Sequence, residues 1–70
     1  MPRVIGLTIN GEPRSFEDPL SVAQLVERLQ LGGKRVALER NGEIVPRGRF
    51  AEQPLQEGDR LEIVVAVGGG

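Results

Sequence analysis

The chain has no cysteine, histidine, tryptophan or tyrosine, and its only aromatic residues are Phe16 and Phe50. Without cysteine there is no disulfide and no thiolate metal site, and thiol usage places no constraint on the redox compartment. Lacking both histidine and cysteine, the chain has neither the commonest general base nor the commonest soft nucleophile, nor the usual transition-metal ligands. Two serines remain, Ser15 and Ser21, and a nucleophilic serine needs an adjacent base. The neighbouring carboxylates Glu17 and Asp18 do not converge on a pocket simply by being adjacent, and they read as solvated. No enzymatic activity is expected of this chain by itself, and no bound metal or cofactor.

Charge of one sign is missing as well. The formal net charge is −1, from 9 basic and 10 acidic residues. Nucleic-acid binding draws on a strongly basic face, often with exposed aromatics for stacking, and neither is evident. The opening stretch Met1-Pro2-Arg3-Val4-Ile5-Gly6 lacks the apolar run of a secretion signal. No stretch approaches the ~20 apolar residues that cross a bilayer. A cytoplasmic location is expected, with neither nucleic acid nor membrane as partner.

What the chain does have is patterned aliphatic residues. Its 70 residues make one small domain; chains of this size bury only about 60% of their unfolded surface, so stability is thin. Ile5, Leu7 and Ile9 alternate with Gly6, Thr8 and Asn10, the period of a half-buried strand. Asn10-Gly11 tolerates positive φ at both positions and marks a tight hairpin. The returning strand is expected over Glu12 to Phe16, and Pro13, which cannot donate to a ladder, assigns it to a sheet edge.

Ser21 opens a helix as Ser-x-x-Gln with Gln24, a capping box, while Leu20 and Leu25 stand where a hydrophobic staple places them. Val22, Leu25, Val26 and Leu29 mark one helical face, and Gly32-Gly33 is the expected stop. Val36 and Leu38 begin a third strand. Asn41-Gly42 turns it back towards Ile44 and Val45. Pro46 to Leu55 reads as irregular, with a single turn whose Phe50 ring plugs the core. Glu57-Gly58-Asp59 is a turn, and Leu61, Ile63 and Val65 alternate in a closing strand. The order β-β-α-β-β-β, with one helix to cover a sheet, predicts an α+β two-layer domain with a mixed sheet of about five strands. This arrangement resembles the ubiquitin-like β-grasp. It is expected over residues 1–67, followed by a flexible glycine tail at 68–70.

Two charge blocks stand out. Lys34, Arg35, Arg40, Arg47 and Arg49 face only Glu39 and Glu43 in one segment, and Glu52, Glu57, Asp59 and Glu62 face only Arg60 in the next. They read either as solvated faces or as patches that orient a partner.

The tail draws the chemistry to itself. An α-carboxyl group titrates near pH 3.5, so Gly70 carries an anion at neutral pH. A carboxylate can attack the α-phosphate of ATP, and the resulting acyl-adenylate then accepts a nucleophile. Glycine leaves that carbonyl open, and successive glycines thread a channel too narrow for side chains. Ordering three tail residues in an enzyme cleft costs roughly 3–6 kcal/mol of backbone entropy, which contacts by the folded body must offset.

The segments Leu7-Thr8-Ile9-Asn10-Gly11-Glu12, Val36-Ala37-Leu38-Glu39-Arg40-Asn41-Gly42-Glu43-Ile44-Val45-Pro46-Arg47 and Gly58-Asp59-Arg60-Leu61-Glu62-Ile63-Val64-Val65-Ala66-Val67-Gly68-Gly69-Gly70 resemble the ThiS family, the sulfur carriers of thiamin biosynthesis. The resemblance spans essentially the whole chain. Gly69 and Gly70 match the family's terminal diglycine, and Gly68 extends it by one. The resemblance implies that a ThiF-like enzyme adenylates Gly70 with ATP. Sulfur, coming ultimately from cysteine through a desulfurase, then makes a thiocarboxylate, and thiazole synthase (ThiG) accepts that sulfur. Gly68 and Gly69 would thread the partner's active site. Arg60, Glu62 and Val64, the outward positions of the last strand, are candidate docking residues by proximity to the tail. Three alternatives stay open: a carrier for molybdopterin synthesis, a protein modifier joined to target lysines, and a non-reactive interaction domain.

Overall fold

Alternating aliphatic residues bounded by two Asn-Gly turns fold as their spacing predicts. The computed structural model describes residues 3–66; the expected boundary at 67/68 and the tail Gly68, Gly69 and Gly70 lie outside these residues. The strands are β1 (Arg3–Ile9), β2 (Glu12–Asp18), β3 (Val36–Arg40), β4 (Glu43–Ile44) and β5 (Arg60–Val65). One α-helix, α1 (Val22–Arg28), follows β2, and a 3₁₀ helix (Arg47–Glu52) follows β4. The sheet order is β2-β1-β5-β3-β4. β1 and β5 run parallel at its centre, with Thr8 beside Arg60 and Ile9 beside Leu61. The other neighbours are antiparallel. This is the expected mixed α+β sheet, and β2, with Pro13 opposite Thr8, is an edge strand. It runs two residues past its expected end, so Glu17 and Asp18 pair with Val4 and Arg3 and do not lie in a loop.

Period-two burial sends Ile5, Leu7 and Ile9 of β1, Leu38 of β3, and Leu61 and Ile63 of β5 to one face of the sheet. There they meet Val22, Leu25 and Val26 of α1, with Leu20, Val45 and Leu55 closing the ends. Leu7, Leu25, Leu38, Leu61 and Val22 are the largest side chains fully withdrawn from solvent; truncating such a leucine to alanine typically costs about 2–5 kcal/mol. Phe16 and Phe50 are half-buried against this cluster. Phe50, expected to plug the core, packs on its flank instead, because the 3₁₀ helix that carries it lies outside the sheet–helix sandwich.

The helix start follows the predicted capping box. Ser21 Oγ accepts from the Gln24 amide at 3.1 Å, and Gln24 Oε1 accepts from the Ser21 amide at 2.8 Å, with Leu20 and Leu25 both buried. The expected stop at Gly32-Gly33 is corrected. The helix ends at Arg28, and the left-handed residue is Gln30, at φ 60°. The Gln30 amide donates to the Glu27 carbonyl at 3.0 Å and the Leu31 amide to the Val26 carbonyl at 2.9 Å. That is a Schellman closure, placed so that Leu31 folds back onto the core. The segment after the 3₁₀ helix then ties to the helix start: the Val22 amide donates to Gln53 O and the Leu55 amide to Leu20 O.

Candidate functional site

β5 delivers the chain to Ala66, and the structure fixes that strand from both sides. Asn10 and Asn41 occupy equivalent places in the two hairpins, at φ 51° and 52°, as Asn-Gly turns require. Each also reaches β5. The Asn10 amide donates to Leu61 O at 2.9 Å, its Nδ2 donates to Ile63 O at 3.1 Å, and its Oδ1 accepts from the Ile63 amide at 2.7 Å. On the other flank the Asn41 amide donates to Arg60 O at 2.7 Å, and Asn41 Oδ1 accepts from the Arg60 amide at 2.9 Å. A central strand already laddered to β1 and β3 thus gains side-chain clamps where those neighbours end.

The start of β5 is anchored by Asp59, the one charged side chain among the described residues that is buried, at 5% exposure. Its carboxylate accepts from Arg40 Nε at 2.7 Å and Nη2 at 3.3 Å, from Asn41 Nδ2 at 3.1 Å and from the Gln56 amide at 2.8 Å. Burial pushes its pKa up. The hydrogen bonds from Arg40, the Gln56 amide and Asn41, together with the Arg40 charge, outweigh that and hold it below the ordinary value. Two members of the charge blocks are thereby reassigned. Arg40 is committed to Asp59, and Asp59 is withdrawn from the surface, so neither is free to meet a partner. Glu57 is engaged as well, accepting from the Gly6 amide at 2.8 Å.

The candidate docking residues Arg60, Glu62 and Val64 are all exposed and share the sheet face turned away from α1. Arg60 lies beside Thr8, Glu62 opposite Glu39, and Val64 opposite Ala37. Glu39 in turn pairs with Ile44. Val64 and Ile44 are 62% and 72% exposed, so two large aliphatic side chains flank a pair of like charges on an open face. Isolated exposed aliphatics are ordinary; here Val64 sits on β5, which leads towards the tail, and Ile44 on the edge strand β4 of the same face. Among the described residues, no group of three or more His, Cys, Asp or Glu side chains could hold a metal ion, and no helix is long and apolar enough to cross a membrane.

The ThiS family model matches residues 7–70, which take in the end of β1, all of β2 to β5 and the glycine tail. The chain belongs to the ThiS family. It is 38% identical over 65 residues to the sulfur carrier protein ThiS of Bacillus subtilis, covering 91% of this chain and 98% of that protein. A ThiS thiamine biosynthesis protein from Geobacter metallireducens superposes with a TM-score of 0.79 at 32% identity, over 94% of this chain and 100% of the other. The fold is therefore that of the ubiquitin-like β-grasp ThiS proteins, and the chain is a ThiS-type sulfur carrier of thiamin biosynthesis. A thiazole synthase of Paramagnetospirillum magneticum matches at 45% identity over 64 residues. The chain, at 91% of its own length, spans only 20% of that larger protein.

Sequence reasoning did not find the bracing of β5 by Asn10, Asn41 and Asp59. The two asparagines gave a turn signal that fully accounted for them locally, and Asp59 in Gly58-Asp59 looked like one more turn residue. The recurrence of Asn-Gly at the end of both strands that come to flank β5 was the available clue.

Proposed function

We propose that this ThiS-family chain carries sulfur on the carboxyl group of Gly70, as a substrate of other enzymes. The Gly70 carboxylate attacks the α-phosphate of ATP in a ThiF-like adenylating enzyme and pyrophosphate leaves. Persulfide sulfur, supplied by a cysteine desulfurase, then attacks the acyl carbon and AMP departs. A thiol reductant cleaves the resulting acyl disulfide, leaving a thiocarboxylate and a disulfide. Thiazole synthase accepts the sulfur. Gly68 and Gly69 pass through the enzyme's channel, where any side chain would obstruct. ATP is consumed by the activating enzyme, and the carrier itself holds no cofactor. The chain works in the cytoplasm.

The observation that supports this reading above all is the reach of the family match to residue 70, directly after a central strand clamped by Asn10 and Asn41. A rigid exit lowers the number of conformations the tail loses on entering a cleft. The choice of thiazole synthase is supported by the larger thiazole synthases of P. magneticum and Magnetococcus marinus, in which the stretch similar to this chain makes up 20% and 19% of the protein. Docking is assigned to Arg60, Glu62 and Val64, on the exposed sheet face.

Intact mass spectrometry after incubation with ATP, the adenylating enzyme and a sulfur source tests the reading. A mass gain equal to sulfur replacing one oxygen, lost when Gly70 is deleted or followed by an extra residue, is the expected result. An adduct on a target lysine would identify a protein modifier, and an unchanged mass an inert interaction domain.

A further inference from the structure

The end of the sheet from which the tail leaves carries uncompensated positive charge. The Ala66 amide donates to Arg35 O at 2.9 Å, so Arg35 lies beside the last described residue. Lys34 precedes it, and Arg47, from the 3₁₀ helix, donates through Nη2 to Lys34 O at 3.2 Å. Two segments of the chain thus bring Lys34, Arg35 and Arg47 beside the end of β5, all exposed, and none of them takes part in an ion pair among the described residues. Glu27 is the one acidic residue lining the shallow crevice between Lys34 and Arg47. On the other flank of β5, Glu12 and Arg14 line the crevice beside Val65, one charge of each sign. The excess is on the β3 side.

We propose that Lys34, Arg35 and Arg47 form a basic collar that docks against an acidic rim around the cleft of the adenylating enzyme. This deepens the carrier reading and rests on it. The argument is one of reach. Residues 67–70, fully extended, span at most ~14 Å beyond Ala66. Any enzyme that acts on Gly70 must bring its surface to the end of the sheet, so the collar faces the cleft mouth in every productive complex. Three unpaired cations there are repelled by a basic or neutral, desolvating rim and attracted by an acidic one. Nucleotide phosphate is disfavoured as their counterpart. The crevice between Lys34 and Arg47 is lined with Val26, Leu31, Val36 and Phe50, a poor cradle for an anion.

The test is ATP–pyrophosphate exchange by the ThiF-like adenylating enzyme of the same organism, with the full-length chain as the varied substrate. Neutralising all three residues (Lys34→Gln, Arg35→Gln and Arg47→Gln) raises the KM for the carrier about 10-fold or more at low salt, with kcat unchanged. It also flattens the salt dependence of kcat/KM, which in the wild type falls as screening shortens the range of attraction. Because Arg47→Gln also removes the bond to Lys34 O, the Lys34→Gln/Arg35→Gln double variant must show the same trend with an unaltered melting temperature. Arg3→Gln, at the far end of β1, leaves KM unchanged. An unchanged carrier KM and salt slope, a loss confined to kcat, or a rise only in the KM for ATP each overturns the collar. A wild-type chain that supports no exchange at all overturns the carrier reading first, and the collar with it.

Discussion

Asn10 and Ile63, 53 positions apart, are joined by a pair of hydrogen bonds in which the asparagine side chain takes the place of a missing strand neighbour. Its Oδ1 accepts from the Ile63 amide at 2.7 Å, and its Nδ2 donates to the Ile63 carbonyl at 3.1 Å. β1 ends at Ile9, opposite Leu61, so β5 would otherwise run on to its end at Val65 with its β1-side groups unpaired. The residue that makes the first hairpin therefore also extends the ladder of the strand that carries the tail. Asn41 does the same for Arg60 on the opposite flank. Unpaired backbone groups in a partly buried strand are costly, which is why the clamps bear on both fold and function.

Replacing Asn10 by glycine keeps the left-handed turn and removes only the clamp. Two hydrogen bonds at about 0.5–1.5 kcal/mol each predict a loss of about 1–3 kcal/mol, seen as a lower urea midpoint at constant m-value. Asn10→Ala should lose more, since alanine also carries the strain of φ 51°. Amide exchange at Ile63 should quicken in both variants. Wild-type stability in Asn10→Gly would remove the clamp from the account.

Asp59 sets the acid limit. Its folded pKa lies below the ordinary value of 3.8, so the unfolded chain binds the proton more readily. The stability this carboxylate contributes is present above that ordinary value and is lost as pH falls towards and through the lower folded pKa. Unfolding free energy should decline with acidification below about pH 4. Asp59→Asn should flatten that decline. It should also cost roughly 2 kcal/mol at neutral pH, because Arg40 is left with one charge-assisted acceptor fewer. An equal acid slope in the two proteins would show that other carboxylates govern the transition.

Glu39 and Glu62 lie directly opposite on the open sheet face, and like charges so placed are destabilising. Glu39→Lys should raise stability by about 0.2–1 kcal/mol, an increment that shrinks as salt is added. Glu62→Lys should match it in stability while impairing exchange by the adenylating enzyme, because Glu62 is assigned to docking. Stability gained by neither variant would mean that the two carboxylates already avoid each other by rotamer.

What could be read from the residues depended on how far apart the causes lay. Ile5-Leu7-Ile9, Leu61-Ile63 and the two Asn-Gly turns declare strands and hairpins within a few positions of themselves, and Pro13 declared its own edge. A mixed sheet followed from a helix joining strands that cannot all pair as simple hairpins; that β1 and β5 are its parallel pair did not. By contrast, the bonds from Asn10 to Ile63 and from Arg40 to Asp59 span 53 and 19 positions, and each residue already had a sufficient local explanation as turn or surface charge. The tail chemistry is an expectation drawn from the glycine run and the family resemblance together, and the tail lies outside the described residues. The clamps on β5 became visible only once the sheet order was known.

The helix stop is the place where a statistical signal misled, and it yields the sharpest test of local strain. Glycine prefers the left-handed position after a helix, so Gly32-Gly33 drew the boundary, yet Gln30 holds it at φ 60°. Leu31 explains the choice. With the closure one residue before it, Leu31 folds back against Val26 and the core; with closure at Gly33, Leu31 would lie on the continuing helix. A non-glycine residue in this conformation costs about 1–2 kcal/mol, while glycine would add about 0.4–1 kcal/mol of unfolded-state entropy. Gln30→Gly should therefore stabilise the domain by up to about 1 kcal/mol, and Gln30→Val, β-branched and unable to relax, should destabilise it. Thermal melts of the pair check both signs. A Gln30→Gly variant less stable than wild type would show that the glutamine side chain contributes more than its backbone strain removes.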